Sequence, residues 1–163
     1  VGGMEMDEAV QRWFRQEHGL VVGRPTAERL RVEVAAAPGA QPAEERVSVA
    51  GVHLGNGLPA VVTVPAAELA KPLADVLERI AESVTRLLGE TPPELLADVW
   101  EDGGHLVGGA ARLRGLAGYL GERLRLRLQV PESAQTATAQ GLAAVLRGSQ
   151  AAPGRAGLAY RTA

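Results

Sequence analysis

Apolar residues recur at helical spacing from Met4 to about Glu17, with Met6, Val10, Trp13 and Phe14 on one side of the turn sequence. Asp7 and Glu8 stand near the start, where the helix dipole favours negative charge, and Gly19 suits a stop. Thr26-Ala27-Glu28 opens a second, shorter helix with Thr26 as N-cap, and its Leu30 and Val34 face inward before the chain runs out through Ala35-Ala36-Ala37 to Pro38-Gly39. Residues 38–45 read as a polar turn region. From Arg46 the pattern changes to period two. Val47, Val49, Val52 and Leu54 precede Gly55-Asn56-Gly57, and Leu58 to Val64 is again rich in Val, which predicts a β-hairpin. The alternation shifts phase at Gly51, which predicts a bulge there.

A long helix is predicted from Ala66, split near Pro72, with Pro72 in the first turn of the second piece. Its stripe is Leu73, Val76, Leu77, Ile80, Val84, Leu87 and Leu88, and Gly89 ends it. Thr91-Pro92-Pro93-Glu94 predicts a short helix with Thr91 as N-cap and Glu94 completing a capping box. Leu106-Val107 reads as a very short strand running into Gly108-Gly109-Ala110-Ala111. A helix over about 112–121 buries Leu113, Leu116 and Leu120, a strand follows over 124–130, and a last helix spans 135–146, starting near Thr136. The stretch 148–163 has little to bury and is expected to be poorly ordered.

The 163 residues are a prior for one domain, and 46% apolar with 22% charged residues is a globular balance. Net charge is −2 and pI about 6.0, which gives no general attraction to nucleic acid or anionic lipid. The sequence has no cysteine, so thiolate nucleophiles, disulfides and Cys-based zinc sites are excluded. No apolar run is long enough for a bilayer span and no signal peptide opens the sequence, so a cytoplasmic location is expected. Aromatics make up only 3%, so the core must be built from Leu, Val and Ala. Lys71 is the single lysine, and the Arg, Ala and Gly bias is that of a GC-rich coding sequence.

Candidate chemistry is sparse. His18, His53 and His105 are far apart and lack metal-ligand spacing. Asp98, Glu101 and Asp102 could hold a divalent ion, with a solvated helix end as the plainer reading. A strand that runs into Gly108-Gly109 and then a helix can bring backbone N–H groups to a phosphate or nucleoside. A simple turn is the competing reading of the same residues.

The order of motifs resembles the MreB family of bacterial actin homologues. Val1 to Val10 (VGGMEMDEAV) is similar to the family opening, and Gly19-Leu20-Val21-Val22-Gly23 with Thr26-Ala27-Glu28-Arg29-Leu30-Arg31 resembles "GLLIG…TAERIK". Gly57-Leu58-Pro59, Thr91-Pro92-Pro93-Glu94-Leu95 with Asp98, Leu106 to Ala111, and Leu113 to Leu116 resemble "GLP", "TPPEL", "LTGGGA" and "LLRNL" in turn. The resemblance covers Val1 to about Leu146. It implies an α/β fold, part of the second lobe of the actin and DnaK-type (ribonuclease H-like) ATPase fold. Residues 1–25 and 65–148 would form the larger subdomain, 26–64 an inserted helix-hairpin subdomain, and 149–163 a disordered tail.

The resemblance further implies an ATP-dependent filament former that organises cell-wall synthesis and rod shape. Its cofactor would be ATP with Mg. Its partners would be other MreB-type subunits and the cell-elongation machinery at the membrane, with no nucleic acid, and membrane association would come through filaments. By position, Glu28, Arg29, Leu30 and Arg31 would lie against adenine and ribose, and Gly108, Gly109, Ala110 and Ala111 would wrap the adenosine and phosphates. The family's phosphate loops and catalytic acid have no counterpart in this sequence, so the chain is not expected to hydrolyse ATP alone. Three positions differ from the pattern: Arg31 for Lys, Val107 for Thr and Ala110 for Gly. If position 110 needs a positive φ, its Cβ costs on the order of 1 kcal/mol. These changes motivate the alternative, a non-enzymatic degenerate actin-like module that binds and modulates MreB filaments.

Overall fold

A computed structural model describes residues 2–151, with side chains described through Gly148. The expected tail falls mostly outside this range, since residues 152–163 lie beyond the described ones.

Helix α1 (Gly3–His18) ends on Gly19 at φ 58, the left-handed stop that glycine supplies most easily. Met6, Val10 and Phe14 are fully buried along it and Trp13 nearly so. Strand β1 (Leu20–Val21) follows, then helix α2 (Arg24–Arg29). Thr26 is not its cap. The helix starts three residues earlier, with Gly23 at the N-cap and proline inside the first turn, because Pro25 is preset for helical φ. Helix α2 runs into a π-helical turn, Leu30–Val34, closed by the Ala35 amide donating to the Leu30 carbonyl at 2.8 Å.

Strands β2 (Arg46–His53) and β3 (Pro59–Pro65) form the expected hairpin, and β1 adds to its edge as an antiparallel third strand. The expected bulge is absent: the register runs unbroken from Arg46 opposite Pro65 to Val52 opposite Pro59. Gly51 has a different purpose. A Cβ there would sit 2.5 Å from the Val21 carbonyl oxygen, so glycine lets β1 approach.

A 3-10 turn (Ala66–Leu69) precedes helix α3 (Ala70–Gly89), which places Pro72 in the first turn of α3. Leu73, Val76, Leu77 and Ala81 are buried, but Leu87 at the far end of the stripe is 64% exposed. Helix α4 (Pro93–Asp102) has no fully buried residue, with only Val99 packed partly against the core, and it has no side-chain cap. The Thr91 hydroxyl instead donates back to the Leu87 carbonyl of α3 at 2.8 Å.

The short strand lies two residues before its expected place. Strand β4 is Gly104–His105, parallel to β5 (Leu128–Gln129), which is all that forms of the strand expected over 124–130. Gly103 fixes this position, because a Cβ there would collide with the Arg127 carbonyl. A 3-10 turn (Gly109–Arg112) leads to helix α5 (Leu116–Leu124), and Leu113, Leu116 and Leu120 are buried as expected. Helix α6 (Ala137–Ala151) closes the described chain. One core joins α1, α2, the hairpin, α3 and α5.

Candidate functional site

The segments 28–31 and 108–111 sit on opposite sides of one joint. After the π turn, Ala36 bridges in parallel to Arg114, and the Ala37 amide donates to the Arg114 carbonyl at 2.8 Å. Ala35, Ala36 and Ala37 are buried, and Gly115, at φ 72, packs directly on Ala40. Small residues on both sides permit the close approach. Leu30 and Leu113 share the core beneath the joint.

The four residues 28–31 have different environments. Leu30 is fully buried, whereas Glu28 and Arg29 are exposed. Arg31 is only 4% exposed. Its Nε donates to Asp7 Oδ1 at 2.6 Å, and its Nη2 stands 4.0 Å from Glu28 Oε1. Its Nη1 is buried without a partner. Unpaired buried donors on a charged group are costly, so this guanidinium depends on Asp7 for compensation. Sequence patterning had assigned Asp7 to the helix dipole alone. The available signal was that Asp7, Val10 and Phe14 share one face, which puts an acid inside an apolar stripe.

In the glycine segment only Gly108 has a conformation that demands glycine, at φ 90 and ψ 175. Its amide donates to the Ala134 carbonyl at 2.7 Å, which ties the loop to the chain before α6. Gly109 has no positive φ, and a Cβ there would meet open space. Ala110 has no positive φ either, so the strain considered for this position does not arise. It is partly buried against the core, Ala111 is buried, and Val107 is exposed. The Gly109 and Ala110 amides head the 3-10 turn, where the first N–H groups have no partner inside the turn.

Among the described residues no hydrogen bond or ion pair links 28–31 directly to 108–111. A cavity of about 450 Å³ lies elsewhere, between α1 and α3, lined by Arg12, Glu17, His18, Lys71 and Asp75 among others. The three histidines do not meet. His18 packs edge-on to Trp13, His53 Nδ1 accepts from the Gly55 amide at 3.1 Å, and His105 is exposed on β4. Asp98, Glu101 and Asp102 are exposed on α4. Among the described residues no three His, Cys, Asp or Glu side chains converge as metal ligands, and no helix is long and apolar enough to cross a membrane.

The family model for the MreB/Mbl protein matches residues 1–152. The chain is 35% identical over 142 residues to the cell shape-determining protein MreB of Escherichia coli K12, covering 86% of this chain and 40% of that protein. It is 31% identical over 156 residues to the cell shape-determining protein Mbl of Bacillus subtilis, covering 95% and 46%. It thus spans less than half the length of these relatives. Its fold superposes on MreB5 of Spiroplasma citri bound to AMPPNP with a TM-score of 0.85, at 22% identity, over 91% of this chain and 44% of that one. It also superposes on a subunit of the MamK double helical filament with a TM-score of 0.67, at 24% identity, over 93% and 45%. The fold is therefore part of the actin-like ATPase fold, and the chain belongs to the MreB/Mbl family.

Proposed function

We propose that the chain is part of an ATP-dependent filament-forming protein that governs cell shape, and that it carries the adenosine-facing half of the nucleotide site. One observation supports this most: the fold follows, over 91% of its length, a relative whose structure holds AMPPNP. The local geometry fits such a ligand. Glu28 presents an exposed carboxylate that can accept from ribose hydroxyls, with Arg29 beside it. Leu30 is the buried anchor of this turn, and Arg31 holds it from inside. Gly108 sets a positive-φ corner, and the Gly109 and Ala110 amides behind it suit an anionic group, while Ala111 roots the turn in the core. ATP brings the phosphates and Mg offsets their charge; this chain's residues bind and orient the nucleoside. Residues 26–64 are proposed as the smaller subdomain on the larger body.

Ala110 was one motive for a degenerate, nucleotide-free module. Its φ is not positive, so backbone strain at this position gives no argument for a retired site.

The test is calorimetric titration of the full chain with Mg–AMPPNP. Saturable binding that weakens about tenfold in Glu28→Ala, a loss of one hydrogen bond to a charged group, is the expected result. Absence of heat at millimolar nucleotide, with the chain folded, would overturn the reading.

A further inference from the structure

Asp7 and Arg31 form a buried ion pair, with side chains 4% and 5% exposed, that joins α1 to the π turn behind α2. Four features make this contact more than packing. Only Nε of the guanidinium is bonded to Asp7, Nη1 has no partner, and Nη2 faces Glu28. Glu28 is 61% exposed at its side chain, so it looks outward while its inner neighbour is fixed. The segment from Leu30 is wound as a π turn, a rare form frequent at functional sites. Finally, Gly3 leaves room for the guanidinium: a Cβ there would stand 3.3 Å from Nη2.

We propose that Asp7 is a positioning residue for nucleotide, acting through Arg31 to set the α2 turn and the Glu28 carboxylate. This rests on the proposed nucleotide reading. Asp7 does not touch ligand. It compensates a buried cation whose other acidic neighbour, Glu28, stands 4.0 Å away and is mostly exposed, and so decides where the π turn sits. The tie between Nη2 and Glu28 then biases one orientation of an exposed, otherwise freely rotating carboxylate. A chain of three residues runs from the body of the molecule to the ligand.

The full chain is titrated with Mg–AMPPNP as wild type, Asp7→Asn, Gly3→Ala, Glu28→Gln and the Asp7→Asn/Glu28→Gln double variant, each with a thermal melt. Asp7→Asn keeps an oxygen acceptor and loses the charge; about tenfold weaker binding is expected. Gly3 has no positive φ, and alanine is a better helix residue, which offsets the shift of a few tenths of an ångström that its Cβ asks of Nη2, so Gly3→Ala should melt close to wild type. It should nonetheless bind several-fold more weakly, because its Cβ displaces Nη2. A purely structural role would make affinity follow stability and could not give this result. Asp7→Asn should also cost less in the Glu28→Gln background than in wild type. Wild-type binding with unchanged affinity in both Asp7→Asn and Gly3→Ala would overturn the positioning role and leave the nucleotide reading standing. No binding by folded wild type would overturn both.

Discussion

Helices α1 and α4 both begin near a glycine or proline and both carry apolar residues at helical spacing. They end in opposite situations. Helix α1 buries Met6, Val10, Trp13 and Phe14 among α2, β1 and α3; α4 has no fully buried residue, only Val99 packs partly against the core, and its Leu95 and Trp100 are 56% and 47% exposed. The contrast extends along the chain. Strands β2 and β3 pair from Arg46 opposite Pro65 to Val52 opposite Pro59, whereas β4 and β5 pair over two residues each. Helix α6 leaves Leu142, Val145 and Leu146 exposed. Amphipathic pattern says that a face is made for burial, not that the chain itself supplies the cover. The stability of this chain is therefore concentrated in the core shared by α1, α2, the hairpin, α3 and α5, and the apolar faces of α4 and α6 contribute little.

Substitutions matched between the two regions can break this comparison. Phe14→Ala removes a fully buried ring and should cost about 3–5 kcal/mol in urea unfolding. Trp100→Ala should cost less than about 1 kcal/mol despite the larger side chain, and equal losses would show that the α4 face is covered in solution. Ion pairs offer a second match. Asp7→Ala strands the Arg31 cation and should cost about 3–5 kcal/mol. The pair of Arg123 with Glu78, at 2.9 Å but with side chains 45% and 42% exposed, should be worth about 0–1 kcal/mol when Arg123 becomes Met. Glycines give a third. Gly51→Ala forces β1 away from β2 and should lower stability by about 1–3 kcal/mol, while Gly109→Ala should be neutral. The smallest effect is expected from Leu146→Ala, within about 0.5 kcal/mol of wild type.

Where patterning was strong, the elements could be read directly. The stripe of α3 and the Val-rich hairpin follow from periodicity alone, because buried faces there are long and continuous. Reading became unreliable where a partner elsewhere in the chain decides the local structure. Strand β4 forms at Gly104–His105 rather than Leu106–Val107 because Gly103 admits the Arg127 carbonyl, a contact that no local window contains. Gly51 was legible as special but not in its role, since the residue it accommodates is Val21. At the candidate site, motif order pointed to residues 28–31 and 108–111, yet the buried state of Arg31 needed knowledge of Asp7 twenty-four positions earlier. The Ala35–Ala37 joint was missed because small residues carry no periodic signal.

The nucleotide reading is tested most directly by hydrogen exchange of the full chain with and without Mg–AMPPNP, followed by peptide. Expected is slower exchange in the two segments 24–34 and 106–114 together, since both would face one ligand and they share the Ala36–Arg114 joint. Protection confined to the cavity between α1 and α3, or none in either segment at saturating nucleotide, would contradict it.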